Sequence, residues 1–206
     1  MKTQLSLLFV TFLFLFLHPT LSFPVATDPN GATQTDNADF IRTSCNATVY
    51  PDICFSSLSP YANAVRQDPA RLARLAISVS LSNVRYVAAY VSKISSESNF
   101  GGDKRASDSV RVCVETIGDA VDEITDSLKQ MRELVAPGSE SFSSQMANVR
   151  TLLSSASTDE DTCTDAFEDV ADGPIKADIF DKIAKVEKYT SNALALVTSY
   201  AKMGSN

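Results

Sequence analysis

Between Asp68 and Met203 the chain repeats one pattern four times. Apolar residues recur at intervals of three and four, and a short stretch containing proline or glycine then interrupts them. Such spacing gives an α-helix one apolar face. The first segment runs from about Asp68 to Ser98, with Asp68-Pro69 as an N-cap followed by proline at the first helical position. Its apolar positions include Leu72, Leu75, Ile77, Val84, Val87 and Val91, and Asn99-Phe100-Gly101-Gly102 ends it. The second spans about Lys104 to Val135 and stops at Pro137-Gly138. The third spans about Ser139 to Ala171, and the fourth about Pro174 to Met203. No strand-like alternation of useful length competes with them. Short connections make successive helices antiparallel neighbours, so the pattern predicts an all-α, up-down-up-down four-helix bundle.

The third segment carries a second start signal, Thr158-Asp159-Glu160. Yet Phe142, Met146, Val149, Leu153, Ala156, Cys163, Phe167 and Val170 keep one phase through it, which favours a single helix with a bend at most.

Four cysteines stand behind an export signal. Lys2 precedes an apolar run from Leu5 to Leu17, and Thr20 and Ser22 are small residues suited to cleavage after Ser22. The run is shorter than the roughly 20 residues that span a bilayer. Residues 1–22 read as a signal peptide, 23–38 as a flexible leader, and 39–204 as one domain. A secreted, extracellular chain with an even cysteine count points to two disulfides. In one straight helix, nine steps of about 1.5 Å would hold Cys45 and Cys54 roughly 13 Å apart, beyond the ~7 Å that a disulfide tolerates. Pairing them therefore requires a chain reversal, for which Val49-Tyr50-Pro51-Asp52 is suited. The result is an N-terminal helical hairpin, with Cys113–Cys163 left to join the second and third long helices. Two long crossed bridges also satisfy the count but leave the hairpin unexplained. Asn46-Ala47-Thr48 inside the small loop is a glycosylation sequon, with Asn46 as acceptor.

The only histidine, His18, lies in the signal. The mature chain therefore has no Ser-His-Asp or Cys-His machinery. No nucleophile elbow or phosphate-binding glycine loop is present either. Asp159 to Asp165 is a poor calcium loop, because Thr164 stands where the turn glycine belongs. No catalytic residue, metal or cofactor is expected. Charge is lopsided: residues 25–106 hold seven acidic and eight basic side chains, residues 107–206 eighteen and nine. Such an acidic half disfavours nucleic acid and anionic membranes as partners and suits a basic or polar protein surface.

On the second segment, Glu115, Asp119, Asp122 and Asp126 follow at i, i+4, i+7 and i+11, within an arc of roughly 60° at about 100° per residue. Val110, Cys113, Ile117, Val121, Ile124, Leu128, Met131 and Val135 take the other side. Cys113 thus points inward, and the four carboxylates form an outward stripe of one sign. Such a stripe costs a few tenths of a kcal/mol per i, i+4 pair, which suggests an interaction face.

Phe40-Ile41-Arg42-Thr43-Ser44-Cys45 and Tyr50-Pro51-Asp52-Ile53-Cys54 resemble the opening of the plant invertase/pectin methylesterase inhibitor family. Cys113-Val114-Glu115 with Asp119-Ala120-Val121-Asp122 resembles its second-helix motif. Thr158 to Asp165 resembles its third, and Ser191 to Leu196 its closing helix. The resemblance implies the same bundle, hairpin and cysteine pairing. It also implies a secreted, non-enzymatic inhibitor of the plant cell wall. In the pectin methylesterase branch, a one-to-one complex covers the enzyme's pectin-binding cleft. The branch pattern carries over onto Glu115, Asp119 and Asp122, and onto Thr162 and Asp165 around the fourth cysteine, as partner-binding residues. Val112 and Leu152 depart from it, where an aspartate and an aromatic are common. The invertase-inhibiting branch uses a Pro-Lys-Phe tripeptide where Met146-Ala147-Asn148 stands, and no Pro-Lys dipeptide occurs in the chain. That favours plant pectin methylesterase as the partner over invertase, with a non-inhibitory wall protein of the same fold as a further alternative.

Overall fold

The protein is described here by a computed structural model covering residues 34–205, apart from Asn99 and Gly101. The signal sequence, its cleavage point and most of the leader lie outside the described residues. Helices α1 (Gln34–Cys45), α2 (Pro51–Leu58) and α3 (Ala62–Val65) precede four long ones: α4 (Pro69–Glu97), α5 (Lys104–Arg132), α6 (Glu140–Asp165) and α7 (Pro174–Gly204). No strand occurs among the described residues.

The starts follow the punctuation in the sequence. Asp68 accepts hydrogen bonds from the backbone N–H groups of Ala70 and Arg71, and Asp103 does the same for Arg105 and Ala106. Ser139 caps α6 through the Phe142 N–H. Each satisfies donors that a helix start leaves open, worth about 1 kcal/mol per cap. Helix α6 runs unbroken through Thr158-Asp159-Glu160, as the continuous apolar phase requires.

Four boundaries differ from the sequence-based expectation. Helix α1 begins at Gln34, inside the stretch expected to be a flexible leader, and Asn37 within it is buried and accepts from the Gln67 amide at 3.5 Å. The reversal before α2 occupies residues 46–50 rather than Val49 to Asp52, and Pro51 opens α2. Helix α5 stops at Arg132, so Val135 lies past its end and is 41% exposed instead of belonging to the core. Helix α6 stops at Asp165, and Phe167 and Val170 reach the core from a turn, not from helix.

Helix α4 packs against α5 and α7, and α6 packs against the same two, leaving α4 opposite α6 and α5 opposite α7. The core between them includes Ile77, Val84, Ile117, Ile124, Phe142, Leu153, Ile183 and Val197. The hairpin is closed by Cys45–Cys54, whose Cα atoms are 5.6 Å apart. It is clamped to the bundle by Asn192, which accepts from the Tyr50 N–H at 3.2 Å and donates to the Tyr50 carbonyl at 3.0 Å. At the far side of α7, Gly204 leaves the space that the Phe142 ring fills. A Cβ there would lie 2.5 Å from ring atoms of Phe142.

Candidate interaction face on α5 and α6

Cys113 and Cys163 are fully buried and bonded to each other, with Cα atoms 4.2 Å apart. A second tie lies close by, where the Ser109 hydroxyl donates to the Ala166 carbonyl at 2.5 Å. These links set an antiparallel register in which Glu115 on α5 stands level with Thr162 on α6. At about 100° per residue, Glu115, Asp119, Asp122 and Asp126 point outward from α5, on the side away from Cys113. All four are exposed. Thr162 lies half-buried on the flank of α6 nearest α5, and Asp165 is exposed one turn on. The disulfide cross-links the two helices that carry these residues.

The stripe is less uniform than its spacing suggests. Arg111 reaches Glu115 at 3.2 Å and Asp108 at 3.7 Å. Both pairs are well exposed, so each contributes at most about 1 kcal/mol. Asp119, Asp122 and Asp126 have no cation within ion-pair distance among the described residues. Thr162 donates its hydroxyl to the Thr158 carbonyl at 2.7 Å, leaving its oxygen free to accept from a partner.

Three consecutive acids on α6 face three different surroundings. Asp159 meets Glu123 of α5 beside Ser155, and burial, opposed by the Ser155 hydrogen bond and reinforced by Asp159, raises the pKa of Glu123. Glu160 is wholly buried. Its Oε1 accepts from the Thr190 hydroxyl at 2.7 Å, Thr190 bonds Ser80 at 2.9 Å, and its Oε2 has no partner. Burial without a cation, with Glu187, Asp161 and Asp159 nearby, pushes its pKa up to about 8. Asp161 meets Glu187 of α7, whose pKa is raised by burial and then by Asp161. Glu123 and Glu160 were absent from the sequence-based site. For Glu160 a signal existed: it shares the phase of Ala156, Cys163 and Phe167. For Glu123 none did, since its environment depends on a helix 36 residues away in sequence.

The long helices also divide by charge. Helix α4 carries four basic and one acidic residue, and α7 five and three. Helix α5 carries five and six, and α6 one and five. Helices α4 and α7, which pack together, carry between them a formal excess of five positive charges, and α5 and α6, which also pack together, five negative. No cluster of ligating side chains suited to a metal ion occurs among the described residues. Nor is any helix there long and apolar enough to cross a membrane.

Residues 39–196 match the family model described as plant invertase/pectin methylesterase inhibitor. The chain belongs to that family. It is 36% identical to pectinesterase inhibitor 11 of Arabidopsis thaliana over 92% of its own length and 95% of that protein's. It is 38% identical to pectinesterase inhibitor 10 of the same plant over 82% of its own length, but spans only 54% of that longer protein. A crystal structure of a mutant form of a pectin methylesterase inhibitor from Arabidopsis superposes with a TM-score of 0.59. It covers 77% of this chain and 95% of the solved one at 16% identity, a likeness of fold. The family is one of enzyme inhibitors.

Proposed function

We propose that this protein is a secreted inhibitor of a plant pectin methylesterase, acting by occlusion without chemistry of its own. The observation that carries the mechanism is the α5–α6 face, where exposed carboxylates stand over a buried disulfide that holds both helices in one register. Glu115, Asp119, Asp122, Thr162 and Asp165 meet basic and polar groups at the rim of the enzyme's cleft and deny pectin access, in a one-to-one complex. Preorganisation matters because ordering two loose helices on binding would subtract from affinity. Charge complementarity speeds encounter and makes inhibition weaken with salt. Support for the target comes from the relatives named pectinesterase inhibitors and from the absence of a Pro-Lys dipeptide.

Export rests on the signal-like start of the chain, and places the inhibitor in the apoplast. Asn46 lies exposed in the hairpin turn, where it accepts a glycan, while the Thr48 hydroxyl donates to the Cys45 carbonyl at 2.8 Å.

Titrating a plant pectin methylesterase with the wild-type protein and with D119K/D122K tests the proposal. Reversal of two exposed charges should weaken inhibition by about 10–100-fold while leaving the melting temperature nearly unchanged. Full potency in the variant would sink the face, and inhibition of invertase alone would sink the target.

A further inference from the structure

Between the start of α6 and the end of α7 lies a groove of about 460 Å³, lined by Ser143, Met146, Arg150, Ala201, Lys202 and Ser205. Met146 and Ala201 are buried and supply its apolar part. Arg150 and Lys202 are exposed, and neither has an ion-pair partner among the described residues. Ser205 donates its hydroxyl to the Ala201 carbonyl at 2.8 Å, which leaves its oxygen free to accept. The Ser143 hydroxyl has no hydrogen-bond partner among the described residues, so it is free to donate. No acid offsets the two cations. Helix α6 has none from Ser141 to Thr158, and α7 none from Lys188 to Ser205. Glu140 precedes Ser143 by about one turn and does not line the groove. Glu133 lies on the flank of Gln145, on the other side of α6 from Ser143. Asp68 acts on Tyr200, on the other side of α7 from Lys202. Asp159 opens the acidic run of α6 nine residues beyond Arg150, about 13 Å along the helix, against a Debye length of about 8 Å.

We propose that this α6–α7 groove binds a small anionic sugar, a monosaccharide unit carrying one carboxylate or one phosphate. Its volume falls within the roughly 300–1,000 Å³ of small-molecule sites. Each part of such a ligand has a counterpart. The oxyanion takes the forked guanidinium of Arg150 and the ammonium of Lys202 through charge-assisted hydrogen bonds. The Ser143 hydroxyl donates to a ring or hydroxyl oxygen, and the Ser205 oxygen accepts from a sugar hydroxyl. The C–H face of the ring rests on Met146 and Ala201. A bare anion leaves the acceptor on Ser205 and the apolar part of the groove unused. A neutral sugar leaves two cations unpaired. The acidic side chain of a partner protein brings no hydroxyl for Ser205. The groove stands apart from the α5–α6 face, because Arg150 precedes Thr162 by twelve residues, about 18 Å of helix.

Amide chemical-shift titration of the isotopically labelled, disulfide-bonded protein by nuclear magnetic resonance tests this. The probes are galacturonic acid and glucose 6-phosphate, with galactose, inorganic phosphate and N-acetylglutamate as controls. At least one of the two sugar anions is expected to bind saturably, with shifts confined to residues 143–150 and 201–205. It should bind at least tenfold tighter than any control, and the tighter of the two tells whether carboxylate or phosphate is the preferred oxyanion. R150Q/K202Q removes two exposed charges and should weaken binding at least tenfold with an unchanged melting temperature. S143A should weaken the sugar anion about threefold or more and leave inorganic phosphate closer to its wild-type affinity. D119K/D122K, altered on the other face, should bind like wild type, so loss of enzyme inhibition and loss of sugar binding are independently readable. Three results would overturn the proposal: no saturable shift with either sugar anion, a control that binds as tightly, or undiminished binding by folded R150Q/K202Q.

Discussion

Replacing Glu160 by glutamine should remove most of the pH dependence of this protein's stability between mild acid and neutrality. Unfolded, the Glu160 carboxyl titrates near 4.5, and folded near 8. Between those values the unfolded chain has released its proton and the folded chain has kept it. Raising the pH therefore favours unfolding by about 1.4 kcal/mol per unit. The associated stability is complete below about pH 4.5, falls up to about pH 8 and is flat beyond. From pH 5.5 to 7.5 the loss is about 2–3 kcal/mol, or roughly 5–10 °C in melting temperature for a domain of this size. Glutamine keeps the shape and an oxygen to accept from Thr190, but has no proton to lose. E160Q should melt close to wild type at pH 5 and above it at pH 7.5. Glu123 and Glu187, both raised chiefly by burial, leave a smaller slope of the same sign. Asp108 and Asp178 are lowered, first by hydrogen bonds from Lys104 and Lys182 respectively, so what they contribute is lost only in stronger acid. The assay is thermal unfolding by circular dichroism from pH 4.5 to 8. If E160Q keeps the full wild-type slope, Glu160 does not carry the proton and the argument from its burial fails.

Opening the Cys113–Cys163 bridge by C113S/C163S removes a cross-link spanning 50 residues, at a cost of about 4 kcal/mol in denaturant unfolding. Potency against the enzyme should fall with it, more than for C45S/C54S. N192A strands the Tyr50 N–H and carbonyl, costing about 1–3 kcal/mol. Hydrogen exchange should rise in residues 46–50 before it rises in the long helices. G204A forces the buried Phe142 ring, packed edge-on against Tyr200, to move, and should lower stability by about 1–3 kcal/mol in the same melts.

Much of the fold was legible because its determinants are local. Asp68-Pro69, Asp103, Ser139 and Gly173-Pro174 announce helix starts through donors that any helix leaves open. The uninterrupted phase from Phe142 to Cys163 overrode the competing cap at Thr158 for the same reason. Reach showed that a Cys45–Cys54 pair needs a chain reversal but left two long crossed bridges open, and the resemblance implied the pairing found. Gln34 to Ala38 is polar and aperiodic, yet helical, and Asn37 within it is buried and accepts from the exposed Gln67, thirty residues away, at 3.5 Å. Val135 fits the apolar phase of α5, but the helix has already ended.

The interaction face was half legible. Spacing placed Glu115, Asp119, Asp122 and Asp126 on one side of α5, because helical geometry is set by the backbone. The Arg111–Glu115 pair, at i, i+4, was equally legible from helical spacing. The rest required tertiary structure. Asp159, Glu160 and Asp161 are three adjacent carboxylates in one acidic run, indistinguishable by composition. Packing sends the first to Glu123, buries the second beneath Thr190 and sets the third against Glu187. That the two net-positive helices, α4 and α7, lie side by side depends likewise on the packing. Periodicity along a helix is written in the order of residues. The energy of a charge depends on distance and dielectric across helices, and those exist only once the bundle has closed.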